Sequence, residues 1–254
     1  MTTSIARRNL LSDTRLIAAR ELRPAMNDPF SLVVGLVQPL FFLLLFGPLL
    51  DTGNGSSWEW FIPGVLVMAA LFGTAGAGSN LQMDLVSGTH ERLLVSPMAR
   101  PALFLGKSLK EFVPLIAQAV VVILIMLPFG FRPHPVGAFL GLLLLGILGL
   151  GIGSLSYALA LAVRDQDWLF WTVHQTVLFP LMILSGMLLP LDTAPAWMRV
   201  LSAANPLTHV VNAERELFAG HLTSGSLGWG VLAALITATL GALLGLRALT
   251  NSTR

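Results

Sequence analysis

The sequence has no cysteine, a single tyrosine and few charged side chains, which make up 11% of its 254 residues. Without cysteine, disulfides, thiolate metal sites and cysteine nucleophiles are all excluded, whereas the redox compartment stays undetermined. The charges are too few to cover the surface of a soluble domain, because 55% of the residues are hydrophobic and the mean hydropathy is +0.78. This composition is typical of a protein that crosses a membrane several times.

Six apolar stretches are long enough to cross a bilayer, whose core of about 30 Å needs about 20 mainly apolar residues per helix. They are residues 31–50, 60–80, 112–131, 136–163, 168–189 and 227–246. The runs are too long and continuous for the alternating strands of a membrane barrel, which have about ten residues each. We therefore predict an all-α membrane protein whose residues 31–254 form a domain with six transmembrane helices.

Lysine and arginine lie mostly on one side of this six-span arrangement, and positive residues near span ends are retained in the cytoplasm. Only Arg132, Arg199 and Arg215 fall on the other side. Both termini are therefore predicted to be cytoplasmic. Residues 1–30 lack the apolar core and cleavage site of a removable signal peptide, and we predict that they contain a helix lying in the membrane interface.

Small residues form thin faces on the predicted spans, at residues 73–79, 149–153 and 241–245. Such faces allow helices to approach closely in a membrane. We expect them to pack within one subunit, with a dimer interface as the alternative.

Polar residues within membrane spans are the usual indicators of a transport pathway, and this chain has few. None of them is a carboxylate, which argues against a carrier driven by protons or sodium ions. His174 is expected to be hydrogen-bonded between helices. The predicted pathway residues, on the first, second and fifth spans, are Gln38, Phe41, Phe42, Phe72, Gln175, Phe179 and Met182. Aromatic and methionine side chains suit a large apolar solute, although each also suits core packing or lipid contact.

Fragments of two catalytic motifs occur, and both fail on spacing. His90-Glu91 begins a zinc-protease pattern, but Leu94 stands where the second histidine is needed. Gly106-Lys107-Ser108 resembles the end of a phosphate-binding loop, but Pro101 replaces its first glycine. We therefore expect no metal site and no ATP hydrolysis by this chain alone. Its basic residues are those that topology requires, so no nucleic-acid partner is expected.

The most polar internal stretch lies between the second and third spans and reads Glu91-Arg92-Leu93-Leu94-Val95-Ser96-Pro97, followed by Arg100 and Gly106-Lys107. A second distinctive block follows the fifth span and contains Pro190, Pro195-Ala196-Trp197, Asn205-Pro206-Leu207-Thr208 and Arg215. Together and in this order, the two blocks resemble those of the ABC type-2 export permeases, in particular the daunorubicin-resistance-like and nodulation-export-like subunits. The resemblance extends over most of the chain.

This resemblance implies a short cytoplasmic coupling helix between spans two and three, which docks on an ATP-binding subunit. Its coupling residues would be Glu91, Arg92, Leu93, Leu94, Ser96, Pro97 and Arg100. It also implies outer re-entrant helices between spans five and six, in a segment that includes Pro190, Asn205, Pro206 and Arg215.

The resemblance further implies a half-transporter in the bacterial inner (plasma) membrane, in contact with membrane lipids. It would pair with a second permease copy, identical or paralogous, and with two copies of a separate ABC ATPase that hold ATP and Mg. The expected function is export of an amphiphilic drug, antibiotic or lipid-like substrate. Export of a polysaccharide or lipid-linked glycan is one alternative, and a membrane scaffold or enzyme without a transport role is another. The single tyrosine and six tryptophans favour the first function, because a glycan conduit stacks sugars on many aromatic rings.

Overall fold

The computed structural model describes residues 14, 16–20, 22, 29–49, 57–86, 100–163 and 166–251, and every regular element among them is helical. The predicted coupling residues from Glu91 to Pro97 lie outside the described residues. Of the predicted N-terminal helix, residues 16–20 are helical, and the side chains of Ile17 and Ala18 are buried.

Nine α-helices have described bounds. In chain order they are α1 (Pro29–Phe46), α2 (Ser57–Ala75), α3 (Ala77–Val86), α4 (Arg100–Met126), α5 (Pro135–Ala162), α6 (Asp167–Leu184), α7 (Ala196–Ala204), α8 (Pro206–Phe218) and α9 (Gly225–Asn251). Short 3-10 turns extend α1 through Gly47–Leu49 and α4 through Leu127–Phe129.

Four helical segments are long and apolar enough to cross a membrane: Trp58–Met83, Lys110–Phe129, Pro135–Ala162 and Gly225–Ala248. They correspond to the second, third, fourth and sixth predicted spans. The first and fifth predicted spans correspond to the shorter apolar helices Val33–Leu49 and Trp168–Leu184. The described chain is thus all-helical, with several segments able to span a bilayer.

The fifth predicted span is shorter than residues 168–189, because α6 ends at Leu184. The hydroxyl of Ser185 donates to the carbonyl of Met182 at 2.6 Å, which occupies a carbonyl at the helix end. Gly186 follows with a φ of +69°, a left-handed conformation that glycine adopts without strain. The apolar segment Lys110–Phe129 agrees with the third predicted span, and α4 extends before it to Arg100.

The second span is interrupted at Gly76, where α2 ends and α3 begins. The hydroxyl of Ser156, on α5, donates to the carbonyl of Ala75 and accepts the amide of Gly78 at 2.9 Å. Backbone groups freed by a break cannot be satisfied by lipid, so a neighbouring helix has to supply the hydrogen bonds. Ser156 therefore stabilises the interruption from α5.

Helix α5 lies at the centre of the structure and packs against α2, α3, α4, α8 and α9. Its longest contact is with α9, where Gly151 of α5 faces the backbone of Ala238 and Gly241 of α9 faces the carbonyl of Gly151. Small residues permit this approach of two backbones. At Gly151 and Gly241 the expectation of packing within one subunit is confirmed.

We expect Gly241→Ala to destabilise the protein by about 1–3 kcal/mol, because overfilling a close contact forces backbone shifts. The added methyl carbon would lie 3.1 Å from both the carbonyl carbon of Gly151 and Cβ of Ser154. Thermal unfolding in detergent micelles measures the effect. The matched control is Gly228→Ala on the same helix, where no atom lies within 4 Å and alanine favours the helix. Equal melting temperatures for the two variants would refute the close contact.

Candidate functional site

The chain after α6 folds back onto the ends of α2 and α6 through α7 and α8. Asn205 fixes the start of α8, because its Oδ1 accepts the amide of Leu207 at 3.0 Å. Its Nδ2 donates to the carbonyl of Leu181 on α6 at 2.7 Å. Pro206 occupies the first helical position, where a backbone N–H would have no partner within the helix, so proline loses no hydrogen bond there. One side chain therefore both begins α8 and attaches it to α6.

Arg215 joins three parts of the chain. Its Nε donates to the carbonyl of Trp60 at 3.0 Å, and its Nη2 donates to the carbonyl of Gly186 at 2.8 Å. Its guanidinium carbon lies 3.8 Å from the centroid of the Trp60 ring, which adds a cation–π attraction. Burial lowers the pKa of Arg215 to about 10, and the nearby Asp192 carboxylate opposes part of that shift. Arg215 is therefore still a cation at neutral pH, and it ties α8 to α2 and to the turn after α6.

A polar cavity of about 340 Å³ lies beside this anchor, and we call it the arginine cavity. Its charged lining residues are Arg199, Arg215 and Asp192, so positive charge is in excess. The other lining residues are Trp60, Ser185, Gly186, Pro190, Leu191, Ser202, Thr208 and Asn212. The cavity therefore offers hydrogen-bond donors and acceptors to water or to a polar part of a solute. Of the residues predicted for the outer re-entrant segment, Pro190 and Arg215 both line this cavity.

Glu214, next to Arg215 on α8, is buried completely. Neither of its carboxylate oxygens has a hydrogen-bond partner among the described residues. The side chain packs against α5 where Gly141 leaves room, and the ring of Phe218 lies close to the same point. Burial raises the pKa of Glu214 well above its ordinary value, because an unpaired carboxylate is costly in an apolar surrounding.

Glu214 is not among the predicted site residues, and it lies in the charged run Glu214-Arg215-Glu216, which is typical of an exposed helix. The helical spacing of its neighbours nonetheless indicates that Glu214 is buried. Glu214 continues the helical spacing of Leu207, Val210 and Val211, all of which are buried. A carboxylate in register with an apolar stripe indicates burial.

The predicted pathway residues do not line the arginine cavity. Phe72 of α2 and Phe179 of α6 are brought together, with ring centroids 6.2 Å apart in an edge-to-face arrangement. Phe42 contacts Phe41 on the same helix, at 6.3 Å between ring centroids. Met182 is buried, whereas Gln38, Phe41, Gln175 and Phe179 are exposed. Their role in a pathway stays a prediction.

His174 is expected to be hydrogen-bonded between helices, and its nearest acceptor is the carbonyl of Ala75 on α2. The contact falls short of a well-aligned hydrogen bond, and the side chain is only 8% exposed. The same carbonyl accepts the hydroxyl of Ser156, which leaves its second lone pair for the imidazole. The ring also packs on aromatic neighbours, with centroids 5.7 Å from Phe170 and 5.5 Å from Trp171. Aromatic packing thus holds the imidazole beside the carbonyl of α2.

Long apolar helices, a central glycine-rich helix and a polar segment folded back onto the bundle define a multi-pass helical membrane protein. The sequence matches the family model for the ABC-2 type transporter over residues 12–219. The chain therefore belongs to the ABC-2 type transporter family and is a transmembrane permease subunit of an ABC transporter.

Individual relatives agree with this assignment. The chain is 29% identical to the daunorubicin resistance ABC transporter permease protein DrrB1 of Streptomyces coeruleorubidus, over 85% of this chain and 78% of the relative. It is 29% identical to the putative transport permease ycf38 of Cyanophora paradoxa, over 75% of this chain and 68% of the relative. It is 26% identical to the probable multidrug ABC transporter permease YbhR of Escherichia coli, over 72% of this chain and 50% of the relative.

We expect Arg215→Lys to lower the stability of the protein by about 1.5–3 kcal/mol, because lysine cannot reproduce the two-carbonyl bridge of a planar guanidinium. Thermal unfolding in detergent measures this loss. Arg199→Lys is the matched control, since Arg199 lines the same cavity but is exposed. If both substitutions lower the melting temperature equally, the bridge to Trp60 and Gly186 is not the anchor.

Glu214→Gln should raise the melting temperature, and by more at pH 8 than at pH 5. A carboxyl whose pKa is raised by folding contributes less stability as the pH rises, because the folded chain keeps a proton that the unfolded chain releases. Glutamine removes this dependence at nearly the same shape. Glu216→Gln on the same helix is the control, since Glu216 is partly exposed and pairs with His221 at 3.0 Å. A difference between Glu214→Gln and wild type that does not grow with pH would mean that Glu214 is ionised in the folded chain.

Proposed function

We propose that this permease subunit exports an amphiphilic drug, antibiotic or lipid-like compound from the cytoplasm, using ATP hydrolysed by a separate ABC ATPase. The observation that carries the proposal is the family match, which extends from residue 12 to residue 219. The names of two relatives, one for daunorubicin resistance and one for probable multidrug transport, support the substrate class.

The proposal includes six spans with both termini in the cytoplasm of a bacterial inner membrane. The four long apolar helices and the two shorter ones support six crossings. The orientation follows from the excess of lysine and arginine on one side. In this orientation the loop between α3 and α4 is cytoplasmic, and the arginine cavity lies at the outer face.

Glu91, Arg92, Leu93, Leu94, Ser96, Pro97 and Arg100 would form the docking surface for the ATPase. The leucines would enter an apolar groove, and the charges would pair across the interface. Helix α4 supports such a coupling, because it runs from Arg100 into the third span as one helix of 27 residues. A displacement of the loop would thus reach the membrane core along a single element.

The working complex would contain two permease copies, identical or paralogous, and two ATPase subunits that bind ATP and Mg. ATP binding would draw the ATPases together and shift the permeases between inward-facing and outward-facing states. The solute would pass along Gln38, Phe41, Phe42, Phe72, Gln175, Phe179 and Met182. The contact of Phe72 with Phe179 supports an apolar pathway between α2 and α6.

Co-expression with an ABC ATPase subunit from the same genome tests the proposal. In the double variant Glu91→Arg, Arg92→Glu, we expect the affinity for the ATPase to fall at least about tenfold, or about 1.4 kcal/mol, because charge pairs at an interface are reversed. Co-purification measures the loss of affinity, and stimulation of ATP hydrolysis in proteoliposomes measures the effect on the ATPase.

Arg132→Glu is the control for this experiment, because Arg132 is exposed and predicted to lie on the opposite side of the membrane. It should leave association and ATP hydrolysis unchanged. If the loop variant behaves like this control, the coupling surface is elsewhere. If wild-type permease neither binds nor stimulates the ATPase, a scaffold without transport function is favoured.

A further inference from the structure

The arginine cavity lies where two apolar segments have one of their ends. Trp60 lines it from the first turn of α2, and Ser185 and Gly186 line it just after α6 ends. The apolar segments concerned are Trp58–Met83 and Trp168–Leu184. The cavity is therefore at the depth where lipid tails give way to polar head groups, on whichever side of the membrane this end lies.

The guanidinium of Arg215 is held on three sides and open on the fourth. Nε and Nη2 donate to the carbonyls of Trp60 and Gly186, and the Trp60 ring covers one face. The remaining nitrogen, Nη1, has no hydrogen-bond partner among the described residues and is accessible rather than enclosed. Because Arg215 lines the cavity, Nη1 is a fixed donor for a ligand there. A donor that is already ordered loses little conformational entropy on binding.

The charge of Arg215 has no direct counter-ion. No carboxylate in the described part of the chain forms an ion pair with it, although Asp192 attracts it from a greater distance. Its neighbours on α8 are directed elsewhere, since Glu214 packs against Gly141 and Glu216 pairs with His221. A partly buried cation in this position favours an anion in the space that it faces.

Two further donors line the same cavity. Asn212 precedes Arg215 by three residues on α8, so the two share a face of that helix, and Arg199 belongs to α7. Asn212 and Arg199 are exposed, and neither has a hydrogen-bond or ion-pair partner within the described ranges. Two guanidinium groups and one amide are thus available to an anion, against the single carboxylate of Asp192.

The size and the remaining lining of the cavity indicate what kind of anion fits. Its volume of about 340 Å³ is roughly ten times the share of about 30 Å³ that one water occupies in the liquid. A group of several heavy atoms therefore fits. Trp60, Pro190 and Leu191 add apolar lining next to the donors. Such a mixture suits a compact oxyanion that is attached to a less polar body.

We propose that the arginine cavity is an anion site, in which Arg215, Arg199 and Asn212 donate hydrogen bonds to a phosphate or carboxylate group. Arginine is the side chain best matched to such groups, because its planar fork presents paired donors. The interfacial depth of the cavity favours the head group of an amphiphile over a free ion. The site depends neither on the direction nor on the energy source of transport.

Phosphate titration of the purified full chain in a neutral detergent tests the site. Sodium phosphate replaces sodium chloride at constant ionic strength and neutral pH, and the melting temperature reports binding. We expect phosphate to raise the melting temperature above its value in chloride. Asn212→Asp places a negative charge in the cavity at nearly the same shape, and it should lower the phosphate affinity at least about fivefold. Asp192→Asn removes the opposing charge and should raise the affinity about twofold to fivefold.

Asn80→Asp is the matched control. It makes the same change of charge at an exposed position on α3, and Asn80 does not line the cavity. Its phosphate affinity should equal that of the wild type. Should Asn212→Asp fail to fold, Arg199→Gln repeats the measurement and should lower the affinity about twofold to fivefold. Arg132→Gln is then the control, since Arg132 is also exposed and lies outside the cavity lining.

A second measurement separates a lipid head group from a free ion. The chain is released from nanodiscs that contain phosphatidylglycerol and phosphatidylcholine with the same acyl chains, and native mass spectrometry counts the retained lipids. We expect phosphatidylglycerol to be retained preferentially by the wild type and by Asn80→Asp, and the preference to be lost in Asn212→Asp. Phosphate binding that depends on Asn212, without this lipid preference, would assign the site to a soluble oxyanion.

Equal melting temperatures of the wild type in phosphate and in chloride, together with no preference for phosphatidylglycerol, would overturn the anion site. Equal phosphate affinities of Asn212→Asp and Asn80→Asp would also overturn it, because the binding would then follow net charge and not the cavity. None of these readouts involves ATP, so their failure leaves the proposed export function standing. A permease that fails to stimulate an ATPase leaves the anion site standing in the same way.

Discussion

Close approach of helix backbones to α5 is the constraint on which the rest of the structure depends. Lipid provides no hydrophobic driving force between helices, so association in a membrane relies on close packing and a few hydrogen bonds. Helix α5 meets this requirement differently toward each neighbour: Gly151 admits α9, Gly141 admits the side chain of Glu214 on α8, and Ser156 bonds to the interrupted second span. One helix therefore sets the positions of α2 and α8, which border the arginine cavity.

Two adjacent charged residues on α8 illustrate how environment decides electrostatic state. Arg215 keeps its charge because two carbonyls and an aromatic ring replace its hydration. Glu214 faces the other side, where no donor among the described residues reaches its carboxyl group and burial raises its pKa. The segment thus carries a fixed cation toward the arginine cavity and a carboxyl group that favours its proton toward the core.

Composition and apolar run length predict the helical class and the approximate location of the spans, because burial in lipid imposes length and polarity on every crossing. They fail at the end of α6, where Leu188 and Leu189 continue the apolar run after the backbone has turned at Gly186. Arg215 was predicted as part of the outer segment. Its partner Trp60 lies 155 residues away, a contact that no local pattern encodes.

The cation bridge at Arg215 bears on how the chain is assembled during synthesis. Helix α8 packs against α2 and α5, which precede it, and most extensively against α9, which follows it. The partners of Arg215 at Trp60 and Gly186, and the contact of Glu214 at Gly141, all precede α8 in the chain. The polar groups of this segment can therefore be enclosed before α9 is made. A polypeptide released short of α9 would keep the cation bridge and lose the most extensive packing contact of α8.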